Sequence, residues 1–210
     1  MFNNYFKSDK NNIEFLFANV TVKNVDFALI SLSALLDGEN IDYNLYNDEH
    51  TFCFFHIQSL LTACGNIYNV FYGFSSKLPS HNNMYRTTLL RNTFGINKSR
   101  FPLVFQKEVR NTNEHFDERF DALDGRLGDY NIVDQNTPHD MRDTILREPH
   151  LRTFNRTTGH YYTYDRQFHQ IIYNLHDLRN ELLEMRAIIS THPMFHACWV
   201  DQIPDENVEH

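Results

Sequence analysis

Cysteine is scarce in this chain: Cys53, Cys64 and Cys198 are the three thiols in 210 residues. The count is odd and no pair stands at CxxC spacing, which argues against a disulfide framework and against a thiolate zinc site. Basic charge is short as well. Nineteen Lys and Arg stand against 27 Asp and Glu, a formal net charge of -8. A chain that binds nucleic acid through its overall field is basic, because phosphate neutralisation supplies most of the affinity. Any contact with RNA or DNA therefore has to come from a local patch. No run approaches the ~20 apolar residues of a membrane-spanning helix. The N-terminal MFNNYFKSDKNN has no uninterrupted apolar core of a secretory signal. The expectation is a cytoplasmic protein with no membrane partner. A Gly-rich phosphate loop, a GxSxG elbow, a Rossmann fingerprint and HExxH are all missing, so nucleotide-dependent and serine-hydrolase chemistry find no support.

Aromatic residues are abundant, with 18 Phe and 11 Tyr. Rings of that size fill a core or an interface. The length fits one domain spanning 1–210, with a frayed segment at 1–12 and a polar tail at 200–210. Apolar residues recur at helical spacing over 24–36 (Val25, Ala28, Leu29, Leu32, Leu35, Leu36), with Gly38 after them. The broadest apolar face runs over 50–71, through Phe54, Ile57, Leu61, Cys64, Tyr68 and Phe71, and predicts a central, buried helix that Gly73 stops. A shorter helix is expected over 84–94, ending at Gly95. Another is expected over 99–123, with Ser99 as cap, Pro102 in its first turn and Phe105, Val109, Phe116, Phe120 and Leu123 as its stripe. Residues 126–150 have no clear period. Thr and aromatic residues flank a Thr-Gly turn at 150–165, which predicts a β-hairpin. A final long helix is expected over 166–189. The fold class that follows is all-α: a bundle of four to five helices, with a small hairpin inserted before the last one.

One segment carries candidate chemistry. In EVRNTNEHFDERFD (108–121), Val109, Phe116 and Phe120 continue the apolar seam. Asn111 and His115 stand one turn apart on one flank, with Arg119 a turn further; Arg110 and Glu114 share the other. Arg110-Asn111-x-x-x-His115 resembles the Arg-x4–6-His signature of HEPN domains. The Tyr that one subgroup carries two residues after the His is replaced here by Asp117. A second pair at permitted spacing, Arg186/His192, has Ala after the Arg and ends near Pro193.

The resemblance implies a helical, commonly homodimeric protein and a metal-independent ribonuclease of the kind found in toxin–antitoxin and phage-defence systems. RNA and an antitoxin protein would then be partners, and no cofactor or metal would be needed. It assigns His115 to general acid or base work, Arg110 to the phosphate, and Asn111 to orienting either of them. Glu114 and Arg119 would border the substrate. So would Arg152, Arg156 and Tyr161 of the hairpin, where basic residues alternate with aromatics. Two other readings stay open. One is a non-catalytic helical interaction protein, with Arg110–Glu114 an ordinary surface ion pair. The other is a histidine–metal protein using His192 and His196, whose i,i+4 spacing places two imidazoles together.

Overall fold

The computed structural model describes residues 10–38, 49–73, 81–114, 135–137, 152–165, 167 and 169–193. It is mostly helical. The elements run α1 (Lys10–Leu36), α2 (Glu49–Tyr72), α3 (His81–Phe94), α4 (Lys107–Glu114), β1 (Gln135–Thr137), β2 (Thr153–Asn155), β3 (His160–Tyr164), β4 (Gln170–Asn174) and α5 (Leu175–Ser190). The strands form one sheet in the order β1-β2-β3-β4, with β1 parallel to β2 and the other neighbours antiparallel.

Helix α2 packs on α1, α3 and α4, and α1 packs in turn on α5. Phe52, Cys53, Ile57, Leu60, Leu61, Cys64, Ile67, Val70 and Phe71 of α2 are all buried, an arc broad enough to serve several neighbours at once. Helix α5 buries a narrow stripe, Leu175, Leu178, Leu182, Met185 and Ile189, the 3.6-residue repeat of a helix with one face inward. Cys53 and Cys64 are buried thiols outside any disulfide. Burial and the neighbouring Glu181 push the Cys64 thiol up to about 12, against a smaller opposing pull from Arg110. At that value only about one molecule in ten thousand carries the thiolate at pH 8. Labelling the native protein with a water-soluble thiol reagent should therefore consume one equivalent at most, the rest reacting only in denaturant.

Several expectations need correction. The mainly helical character and the small β element before the last helix are as expected, but the hairpin belongs to a four-stranded sheet. The hairpin is present as β2–β3, with Gly159 at φ 64 in its turn. Residues 170–174, expected to open the last helix, instead form β4 and pair with β3. Two constraints decide this. Ile171, Ile172 and Tyr173 suit a half-buried strand, and the Asn174 side chain accepts the amides of His176 and Asp177 and so fixes the helix start one residue on. Helix α1 begins at Lys10, not Asn24, because Ala18 and Thr21 continue its buried stripe toward the N-terminus.

Helix α1 also has a span, Ile13–Leu36, long and apolar enough to cross a membrane by length and composition, although Glu14, Lys23 and Asp26 interrupt it. Here it lays Val25, Ala28, Leu32 and Leu35 into the core, while Leu16, Phe27 and Ile30 stay exposed.

The helix expected over 99–123 starts later. Residues 102–105 form a turn, and α4 opens at Lys107. Asn97 rather than Ser99 organises the approach: its side-chain oxygen accepts the amides of Ser99 and Arg100, an Asx turn. Phe105 and Val109 are buried as expected, whereas Phe116, Phe120 and Leu123 lie outside the described residues.

Candidate functional site

The turn that leads into α4 is held from the opposite side of the fold. Phe101 and Val104 are buried beneath it. The Tyr173 hydroxyl donates to the Leu103 carbonyl at 2.8 Å. The Glu181 carboxylate accepts the Leu103 amide at 3.0 Å and the Val104 amide at 2.9 Å. Backbone amides left exposed by the turn are thus satisfied by α5. Desolvation raises the Glu181 carboxyl above its ordinary range; the two amides pull it down by less, and Glu184 and Asp177 add to the rise. One turn further along α5, Glu184 pairs with Arg100 at 2.7 Å. The position of α4 on α2 is fixed by this clasp and by Val109, which is fully buried.

On α4, Arg110 crosses α2 where α2 has no side chain. A Cβ at Gly65 would stand 2.8 Å from Arg110 Cδ, closer than real Cβ atoms come. The Arg110 stem therefore lies in the notch that Gly65 leaves, half-buried, and its guanidinium sits 5.0 Å from the Tyr68 ring centroid. The cavity between them, bounded also by Cys64 and Tyr173, is about 10 Å³, room for a single water.

Tyr68 begins a row of alternating rings and cations. Lys98 Nζ lies 5.0 Å from the Tyr68 centroid and 4.6 Å from that of Tyr72. The Tyr72 hydroxyl accepts the Lys98 amide at 2.9 Å. Arg91 stands over the other end of the row, 4.9 Å from the Tyr72 ring, and also donates to the Phe71 carbonyl at the end of α2. The order is Arg91, Tyr72, Lys98, Tyr68, Arg110. Cations over ring faces are attracted by the ring quadrupole, so two tyrosines hold three positive charges close together. Elsewhere Arg100, Arg179 and Arg186 each have a carboxylate partner: Glu184, Asp37 and Asp26. Among the described residues, Arg91 and Lys98 have none.

The other expected site residues are scattered. Asn111 is half-buried on α4. His115 and Arg119 lie outside the described residues, as does the Glu114 side chain. Arg152 sits 5.5 Å over the Phe54 ring. Phe54 and Gly65 are eleven residues apart on α2, so Arg152 and Arg110 meet that helix roughly 16 Å apart along its axis. Arg156 donates to the Gly38 carbonyl beyond the end of α1, where a cation complements the helix dipole. Tyr161 is 1% exposed and belongs to the core; it presents no ring face on which a base could stack.

Arg186 pairs with Asp26, and the His192 ring packs on Phe94 at 5.0 Å; His196 lies outside the described residues. Among the described residues no group of three or more His, Cys, Asp or Glu could hold a metal ion.

Sequence reasoning missed Tyr72, Arg91 and Lys98 and placed Tyr68 on a buried stripe. The signal available was weak: a Tyr pair at i,i+4 on α2, with one basic residue in the last turn of the next helix and another just beyond it. Comparison with family models, with curated proteins and with solved structures finds no match.

Proposed function

We propose that the chain is a HEPN-like, metal-independent endoribonuclease, or a toxin-type RNA-binding protein, whose substrate contact is the row of cations ending at Arg110. The observation that carries this reading is local. In a chain of net charge -8, Arg91 and Lys98 lie on aromatic faces beside Arg110, and among the described residues neither Arg91 nor Lys98 has a carboxylate partner. Positive charge so placed suits a phosphate backbone and gives an acidic protein the patch that its overall field denies it.

In this reading the ribose 2′-oxygen attacks the adjacent phosphorus as His115 takes its proton. The bond from phosphorus to the 5′-oxygen breaks, and a protonated group returns a proton to that leaving oxygen. The products are a 2′,3′-cyclic phosphate and a free 5′-hydroxyl. Arg110 stabilises the charge that develops on the phosphate, and Asn111 orients His115 or the substrate. A homodimer of the bundle type and a neutralising protein partner belong to the same proposal.

The second reading, a non-catalytic helical interaction protein, is favoured by a different observation: Arg110 has its stem packed against Gly65, as a structural arginine would.

Cleavage of total cellular RNA by purified protein in excess EDTA separates the two. Wild type is expected to cleave and leave 2′,3′-cyclic phosphate ends, while His115→Ala is expected to lose at least a hundredfold in rate. Equal inactivity of both proteins across varied RNAs would move the assignment to the interaction protein.

A further inference from the structure

Strand β4 closes the order β1-β2-β3-β4, and among the described residues β3 is its one neighbour in the sheet. The ladder between them fixes which of its backbone groups are used. The Asp165 amide donates to the His169 carbonyl and the Leu175 amide to the Gly159 carbonyl, each at 2.9 Å. Hydrogen-bonded pairs alternate along an antiparallel ladder. Counted from those two ends, the bonds to β3 fall at Ile171 and Tyr173, opposite Thr163 and Tyr161. Gln170, Ile172 and Asn174 therefore turn their amides and carbonyls the other way. Asn174 is committed to the start of α5. The amides and carbonyls of Gln170 and Ile172 meet no partner among the described residues.

This edge is open and unguarded. Ile172 is 55% exposed, and Gln170 is exposed as well. Proteins blunt a free edge with Lys, Pro or a bulge. Strand β4 reads Gln-Ile-Ile-Tyr-Asn, with none of these, and its register on β3 is unbroken. On the outer face of the sheet Thr153, Tyr162 and Ile172 stand in one row across three strands, a row that one more side chain would extend.

We infer that the β4 edge takes an extended segment of another protein as an added strand, with an apolar residue beside Ile172 and basic residues toward the segment's ends. Two observations select that occupant. Free amides and carbonyls at strand spacing are complemented by another extended backbone. Charge then decides whose backbone it is. A second copy carries the same -8 and is repelled, whereas a basic segment is steered in. Asp177, exposed in the first turn of α5 directly after β4, has no Lys or Arg partner among the described residues and faces such a segment.

This inference stands apart from the ribonuclease reading: a chain that binds a strand here and cleaves no RNA keeps the one and loses the other. The probe is the capped peptide Lys-Thr-Val-Ile-Val-Thr-Lys at millimolar concentration, read by nuclear magnetic resonance of the backbone amides. It is expected to shift Gln170 and Ile172 and to slow exchange of the Ile172 amide about tenfold. Pro in place of the central Ile removes a backbone donor and should abolish the effect. Glu in place of both Lys should weaken binding about fivefold. Two variants of the protein carry the same test. Ile172→Lys puts a charge on the edge, and Gln170→Pro removes an outward amide without a bond to β3; each should weaken binding about tenfold with the far-ultraviolet circular dichroism unchanged, while Lys98→Ala should not. No shift at millimolar peptide, or equal binding of the proline peptide, would overturn the inference. So would an Ile172 amide already protected in the free protein, since the chain itself or a second copy would then fill the edge. Shifts at Tyr162 and Ile172 caused by a uridine oligonucleotide and not by the peptide would also overturn it, by giving this face to nucleic acid.

Discussion

Glu181→Ala is expected to lower the midpoint of thermal unfolding by about 6 °C near pH 5, and by less at pH 7. The Glu181 carboxylate accepts two backbone amides, from Leu103 and Val104, in the turn that delivers α4. Removing an acceptor of that kind strands two donors and costs about 2 kcal/mol, and in a domain of this size each kcal/mol is worth about 3 °C.

The pH dependence follows from the direction of the shift. Glu181 holds its proton more tightly in the folded protein than its ordinary value of 4.5 allows, chiefly through desolvation. The folded state therefore binds more protons than the unfolded one from about that pH upward. The group's contribution is complete below 4.5 and declines as pH rises through the raised value. The difference between wild type and Glu181→Ala should narrow accordingly. Glu181→Gln keeps one oxygen for the amides and carries no charge, so it should lose less and show no such narrowing. Thermal unfolding of the three proteins at pH 4.5, 5.5 and 7 checks both points. A gap that widens toward neutrality would mean that the amide bonds, not burial, dominate at this carboxylate.

The same clasp explains how far the sequence was legible. The stripes of α2 and α5 were readable because a helix with a buried face repeats its apolar residues at fixed spacing, and Ile57, Leu61, Leu178 and Leu182 are all in the core where that spacing puts them. The opening of α5 was misplaced because Ile171, Ile172 and Leu175 satisfy a helical period and an extended one alike. Pairing of β4 with β3 decided between them, and a pairing partner is not visible in a local window. The cation row was illegible for a related reason. Lys98 meets Tyr72 and Tyr68 across separations of 26 and 30 residues, so no motif in one stretch of chain contains it. Arg110 was singled out for its spacing to His115, yet what defines its place is Gly65, a residue with no side chain to attract notice.

That notch allows the role of Arg110 to be tested against its packing. Arg110→Ala should reduce RNA cleavage by a factor of about 10² to 10³ if the guanidinium meets the phosphate in the transition state. Arg110→Lys should recover little of this, since an ammonium lacks the planar fork that grips two phosphate oxygens. A purely structural arginine predicts the opposite pattern: a modest loss of stability in both variants and unchanged RNA chemistry.

Gly65→Ala removes the remaining ambiguity because its two effects have opposite signs. Alanine in the interior of α2 is favoured over glycine by about 1 kcal/mol of helix propensity. The added Cβ, however, would stand 2.8 Å from Arg110 Cδ and drives that side chain out of its notch. If Arg110 engages RNA from this position, Gly65→Ala should be as stable as wild type or more so, and yet cleave RNA at least tenfold more slowly. Matched measurements of thermal midpoint and cleavage rate decide it. A Gly65→Ala protein that keeps full cleavage would detach Arg110 from the chemistry, while one that loses stability and activity together would show that the arginine serves the α2–α4 contact first.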